Sequence, residues 1–92
     1  MLLQHKNAVI YGAGGSLGGA VARVLAREGA TVFLTGRSRE ALEKVHREIK
    51  ASGGKSEVAI VDAMEETAVQ EHLDQLVALA GRIDISFNAV GL

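Results

Sequence analysis

Five of the eleven glycines in this 92-residue chain fall in one run, Gly12-Ala13-Gly14-Gly15-Ser16-Leu17-Gly18-Gly19. A glycine-rich turn from a strand into a helix presents backbone N–H groups and a positive helix end to a phosphate or pyrophosphate. Glycine is needed there where a side chain would hold the phosphates away, or where φ must be positive. The spacing Gly12-x-x-Gly15-x-x-Gly18 suits that use. The strict Gly-x-Gly-x-x-Gly form does not fit, because starting at Gly12 and Gly14 it would require glycine at Leu17. A P-loop is excluded, since no Lys-Ser or Lys-Thr follows the cluster. The competing account is a tight turn that collects glycines without a ligand. What favours a ligand is the context: an apolar run before, a helical pattern after, and a second apolar run ending about 23 residues beyond Gly12, as a βαβ unit of roughly 30 residues requires. The reading is a dinucleotide loop, with Gly12, Gly14, Gly15, Ser16, Leu17 and Gly18 at the phosphates.

The second chemical signal is Leu34-Thr35-Gly36-Arg37-Ser38-Arg39, with no acid before Glu40. An acid at the end of the second strand of such a unit holds the ribose 2′-hydroxyl of NAD, whereas an arginine accommodates the 2′-phosphate of NADP. A carboxylate would repel that phosphate, and guanidinium offers it a planar fork of donors. A charge-assisted hydrogen bond of this kind contributes about 1.5–3 kcal/mol. The bland alternative is that Arg37 and Arg39 are solvated. Yet cations at a helix start oppose the positive end of its dipole unless an anion is present. NADP(H) is therefore preferred over NAD(H), with Arg37 and Ser38 at the 2′-phosphate. The missing acid also counts against a methyltransferase that binds S-adenosylmethionine.

Other reactive types carry less. His5, His46 and His72 are far apart, and no carboxylate–histidine spacing forms a metal motif. His46 and His72 have polar neighbours on predicted helices and are read as surface residues. Glu65, Glu66, Glu71 and Asp74 crowd one helix with Gln70 and Gln75, the pattern of a solvated face. Asp62 precedes Glu65 by three residues, which would make a capping-box pair. Asp84 and Ser86 alternate with Ile83, Ile85 and Phe87 and receive no chemistry.

The elements that must position these residues follow from periodicity. Ala8–Tyr11 is a short apolar run halted by glycine, hence a buried strand. Leu17, Val21, Val24, Leu25 and Glu28 follow helical spacing, and Gly29 stops that helix. Thr31–Thr35 is a second strand; Ser38 caps a helix carrying Leu42, Val45 and Ile49, which ends at Gly53-Gly54. Glu57–Val61 reads as a third strand, Val69, Leu73, Leu76 and Ala80 as a helical stripe before Gly81, and Ile83–Phe87 as a fourth strand. The order βαβαβαβ with short connections predicts an α/β fold with a parallel sheet and helices on both faces.

Length and composition bound the rest. Ninety-two residues allow one domain, spanning 1–92, with only marginal stability of its own. No run of about 18 apolar residues exists to span a bilayer. No signal-peptide order opens the chain, so the expected location is cytoplasmic. Zero cysteines exclude a disulfide scaffold, a thiolate zinc site and a cysteine nucleophile. Residues 1–55 hold nine of the ten Lys and Arg against four acids, about +5, and residues 56–92 hold one against seven, −6. With no Lys/Arg-rich run and only Tyr11, Phe33 and Phe87 as aromatics, the basic half suits one phosphorylated small molecule better than nucleic acid.

Taken together, the chain resembles the N-terminal part of a short-chain dehydrogenase/reductase over essentially all of its length. Lys6–Gly12 is similar to the opening strand, and Gly12–Gly18 to the Thr-Gly-x-x-x-Gly-x-Gly loop, with Tyr11 where Thr is usual and Ser16 replacing the second loop glycine. Gly36-Arg37 resembles the NADP-preferring form. Asp62 and Ala63 stand where the family meets the adenine, and Asn88-Ala89-Val90-Gly91 resembles Asn-Asn-Ala-Gly, which lines the adenine-ribose pocket. Phe87 and Val90 depart from that motif. The resemblance implies a Rossmann-type doubly wound sheet of order 3-2-1-4 and an NADP(H)-dependent oxidoreductase. It would move hydride between nicotinamide and a carbonyl or alcohol of a small-molecule substrate. The family's chemistry looks to a Ser and a Tyr-x-x-x-Lys pair beyond the fourth strand, with Tyr as general acid/base. Tyr11 is the one tyrosine and Gly15 stands four residues on, so no catalytic residue is assigned within the chain. The expected partner is a missing C-terminal half or a further copy in a homo-oligomer. Two alternatives stay open: a stand-alone, non-catalytic NADP-binding module, whose fourth strand would need covering, and an epimerase or dehydratase of the extended branch, which the Gly12-x-x-Gly15-x-x-Gly18 spacing slightly favours.

Overall fold

Strand β1 (Asn7–Tyr11), helix α1 (Ser16–Arg27), β2 (Thr31–Gly36), α2 (Arg39–Ala51), β3 (Lys55–Ile60), α3 (Glu66–Ala80) and β4 (Ile85–Asn88) follow one another along the chain. The structure is a computed structural model and describes residues 1–90; Gly91 lies outside the described residues. All pairings are parallel, and the strand order is β3-β2-β1-β4. This is the Rossmann-type arrangement the sequence predicts, with right-handed βαβ logic placing helices over both faces.

Because β1 lies between β2 and β4, Ala8, Val9 and Ile10 are fully buried, as a parallel strand covered on both faces must be. Alternate residues serve opposite faces. Ala8 and Ile10 join Val32, Leu34 and the α1 and α2 residues Ala22, Ala26, Leu42, Val45 and Ile49. Val9 and Tyr11 join Phe33, Val61 and Leu76 beneath α3.

Several local expectations change. Helix α1 buries Gly18, Gly19, Ala22 and Ala26, while Leu17 and Val24 of the expected apolar stripe are about half exposed. Close approach of helix to sheet admits only small residues there. Strand β3 runs from Lys55 to Ile60, not Glu57 to Val61, because Lys55 and Ser56 pair with Thr31 and Val32. Helix α3 begins at Glu66 with Glu65 as N-cap, so Asp62 is not the cap. Its Oδ1 instead accepts from the Met64 N–H at 2.9 Å, and its carbonyl accepts from the Glu65 N–H at 3.0 Å, making a separate turn before the helix. Strand β4 starts at Ile85, because Asp84 turns its carboxylate onto the Asn7 N–H at 2.8 Å and onto Arg82. Ile83 therefore precedes the strand and packs beneath α3, on the opposite face from Ile85 and Phe87.

His72 is the largest departure. It is 9% exposed and belongs to the core under α3, not to the surface. His46 is half-buried, with Nδ1 2.7 Å from the Ser56 hydroxyl.

Candidate dinucleotide site

The glycine run forms the turn from β1 into α1. Gly12 has φ +81°, and a Cβ there would lie 3.0 Å from the Val90 Cγ2. The N–H groups of Gly12 and Ala13 both donate to the Thr35 carbonyl at 2.9 Å, and Gly15 N–H donates to the Gly12 carbonyl at 3.1 Å. Gly15 is the N-cap of α1; no side chain caps this helix, and no acid stands in its first turn. The intrahelical bonds begin with Gly19 N–H to the Gly15 carbonyl, 2.8 Å. The amides of Ser16, Leu17 and Gly18 therefore have no acceptor within the helix and are available to an anion.

Steric demand divides the glycines differently from their spacing. A Cβ on Gly18 would run into the Gly12 carbonyl oxygen, and one on Gly14 would come 2.8 Å from the Ala41 Cβ. At Gly15 it would meet only the Gly12 oxygen at 3.5 Å, an ordinary contact. Gly12, Gly14 and Gly18 are thus the positions the fold itself requires to be small.

Beside this turn lies a cleft of about 150 Å³, among whose walls are Gly12, Gly36, Arg37, Asp62, Ala63 and Val90. These residues come from the carboxyl ends of β1, β2, β3 and β4, the place where open α/β sheets bind ligands. Larger hollows exist, including one of about 390 Å³ between Met1, Arg27, Gly29 and Lys55 at the other end of the sheet. That one contains none of the predicted site residues.

Arg37 is exposed, and among the described residues no carboxylate lies within ion-pair distance of it, whereas Arg39 pairs with Glu43 at 3.6 Å. Ser38 Oγ accepts from the Ala41 N–H at 3.3 Å, so its hydroxyl caps α2. Asp62 commits one carboxylate oxygen to its own turn. On the far side, Ala89 N–H donates to the Tyr11 carbonyl at 2.8 Å, and Asn88 Oδ1 accepts from the Val90 N–H at 2.9 Å. Of the predicted binding residues, Gly12, Arg37, Asp62, Ala63 and Val90 line this cleft; Gly14 and Gly15 lie in the turn, Ser16, Leu17 and Gly18 in the first turn of α1, Ser38 at the N-cap of α2, Asn88 at the end of β4 and Ala89 just after it.

Tyr11 is buried beneath the turn, and its hydroxyl lies 3.4 Å from His72 Nδ1, with the rings edge to face. Burial raises the Tyr11 pKa and lowers that of His72. Sequence reasoning missed Thr35, which holds the glycine turn, and His72, which is buried against Tyr11. A threonine directly after the apolar run Val32-Phe33-Leu34 is the available signal for the first; nothing local signals the second. Among the described residues no His/Asp/Glu group could hold a metal ion, and no helix is long and apolar enough to cross a membrane.

These features fit a dinucleotide: a small-residue cradle, three helix amides without a backbone acceptor among the described residues and with no acid in the helix's first turn, and a guanidinium at the cleft with no carboxylate partner among them. A family model described as short chain dehydrogenase matches residues 6–92. An uncharacterized oxidoreductase, YxbG, of Bacillus subtilis is 37% identical over 90 residues, which cover 98% of this chain and 33% of the relative. A metagenomic short-chain oxidoreductase solved in complex with NADP superposes with a TM-score of 0.89 at 37% identity, over 94% of this chain and 39% of its own. A xylitol dehydrogenase bound to NAD+ gives 0.91 at 35% identity, over all of this chain and 35% of its own. The sequence thus spans about a third of the length of such relatives. With the family match running from just before β1 to Leu92 and the strand order agreeing, the chain belongs to the short-chain dehydrogenase family of oxidoreductases.

Proposed function

We propose that these 92 residues form the NADP(H)-binding part of an oxidoreductase acting on a carbonyl or alcohol. The observation that carries the reading is Arg37: it lines the cleft beside Gly12 and Asp62, has no carboxylate partner among the described residues, and follows a strand end without an acid. A 2′-phosphate supplies the charge and acceptors that an unpaired guanidinium lacks. The amides of Ser16, Leu17 and Gly18 hold the pyrophosphate at the positive end of α1. Asp62 and Ala63 meet the adenine, and Asn88, Ala89 and Val90 bound the ribose side. When bound, the nicotinamide accepts or donates hydride. The proton-transfer residues of the family pattern, a Ser and a Tyr-x-x-x-Lys pair, belong to sequence beyond these residues in this reading, and Tyr11, tied to His72, takes no part.

Calorimetric titration of Arg37→Ala with NADPH and NADH tests the assignment. The expected result is a roughly 10- to 100-fold loss for NADPH and little change for NADH, the range of a lost charge-assisted bond. Equal losses for the two would defeat the preference for the phosphorylated cofactor.

A further inference from the structure

The glycine turn has one internal backbone bond, Gly15 N–H to the Gly12 carbonyl, and its other anchors come from β2. Its first two amides, Gly12 N–H and Ala13 N–H, are both taken by one acceptor, the carbonyl of Thr35, at 2.9 Å each. The same residue spends its hydroxyl on β1: Thr35 Oγ1 donates to the Ile10 carbonyl at 2.8 Å. Thr35 is fully buried and stands in register with Tyr11. Two residues later comes Arg37. One side chain and one carbonyl thus tie the end of β1, the start of the phosphate turn and the strand end bearing the arginine into a single unit.

The first amide bond prolongs the β1–β2 pairing past Tyr11, and the second brings Ala13 back over β2 as the chain turns toward α1. With these two amides satisfied from below and that of Gly15 by the Gly12 carbonyl, those of Gly14, Ser16, Leu17 and Gly18 are left without a backbone acceptor among the described residues and are open to a ligand. The hydroxyl bond is not part of any ladder, so a valine at this position would keep strand propensity and shape while leaving the Ile10 carbonyl without that donor.

We propose that Thr35 is a positioning residue, which clamps the phosphate turn to the strand end of Arg37 so that amides and guanidinium meet one ligand in fixed relation. The identity of that ligand rests on the NADP(H) reading; the clamp itself rests on the hydrogen bonds above.

The test compares Thr35→Val, which removes the hydroxyl at nearly constant shape, with Thr35→Ser, which keeps it. Two readouts are needed: amide hydrogen exchange at Gly12 and Ala13 without ligand, and dissociation constants for NADPH and NADH well below the thermal midpoint. In Thr35→Val we expect exchange at both amides to quicken and both cofactors to weaken together by roughly 3- to 10-fold, the range of one net hydrogen bond. Thr35→Ser restores both. This differs from Arg37→Ala, which weakens NADPH alone. A lower thermal midpoint in Thr35→Val with unchanged exchange and unchanged binding would overturn the proposal, leaving Thr35 a packing residue. If the native chain binds neither cofactor yet Thr35→Val still quickens exchange at Gly12 and Ala13, the clamp stands and the cofactor reading falls.

Discussion

At the scale of single residues, closeness of backbone to backbone decides which glycines matter. The spacing Gly12-x-x-Gly15-x-x-Gly18 treats three positions alike, but only at Gly18 does an added Cβ collide with a main-chain oxygen that cannot swing aside. Gly18→Ala should cost about 1–3 kcal/mol of stability through forced displacement of the turn. Gly15→Ala should cost no more than about 1 kcal/mol, the difference between glycine and alanine at an N-cap. Urea unfolding of the two variants checks the order; equal losses would mean that the turn is looser than its geometry. The Tyr11–His72 pair makes a second prediction at this scale. Burial holds the folded-state pKa of His72 below the ordinary 6.5. The unfolded chain therefore takes up this proton first as pH falls, and stability present above 6.5 is lost below it, down to the folded value. Thermal midpoints measured from pH 7.5 to 5 should fall more steeply for the native protein than for His72→Gln. Parallel curves would mean that His72 does not contribute to acid sensitivity. Glu57 and Gln75 line the same hollow as His72.

At the scale of elements, what the sequence discloses and what it conceals have distinct physical causes. Ala8–Tyr11 and Thr31–Thr35 announce themselves because strands covered on both faces are apolar throughout, and Ser38 announces α2 because capping is a local event. The face of α1 is not legible in the same way. Its buried residues are Gly18, Gly19, Ala22 and Ala26, so the interface is chosen by smallness, and an apolar stripe drawn through Leu17 and Val24 lands on its exposed side. The burial of His72 depends on Tyr11, 61 positions away, and no local pattern contains that information. Asp84 is a third such case. Its carboxylate accepts from the Asn7 N–H, and the Asn7 side chain donates to the Arg82 carbonyl at 2.9 Å, so the starts of β1 and β4 are joined by side chains before the ladder begins. The Asn7 N–H, and next to it Arg82, hold the Asp84 carboxyl below the ordinary carboxylate range. Asp84→Asn should fray the Ala8–Ile85 end of this pairing, seen as faster amide exchange at the start of β4, with β2–β3 unchanged. Equal protection in the variant would show that the backbone ladder alone sets the strand's start.

At the scale of the whole molecule, the cleft draws a wall from each of the four strand ends, so a ligand there bridges all four. The consequence is thermodynamic. A ligand bound only by the folded state stabilises it by RT ln(1 + [L]/Kd), about 2.7 kcal/mol at a concentration one hundred times Kd. For a domain of 60–100 residues each kcal/mol moves the thermal midpoint by roughly 4–8 °C. NADPH at that excess should therefore raise the midpoint by about 10–20 °C, a large change for a chain of this size, whose own margin is small. The two halves of the charge distribution sharpen the expectation. In the proposed reading the phosphates would lie against residues of the basic half, and the adenine would face Asp62 at the start of the acidic half. Much of the NADPH effect should therefore be electrostatic and shrink as salt screens it. Arg37→Ala, scanned at that same fixed NADPH concentration, should lose about 5–19 °C of that shift, because a 10- to 100-fold weaker Kd removes about 1.3–2.3 kcal/mol of linkage. An NADH shift as large as that of NADPH in the native chain, and equally lost in the variant, would place the discrimination outside Arg37. The cleft would then be a general dinucleotide site whose cofactor choice is made elsewhere.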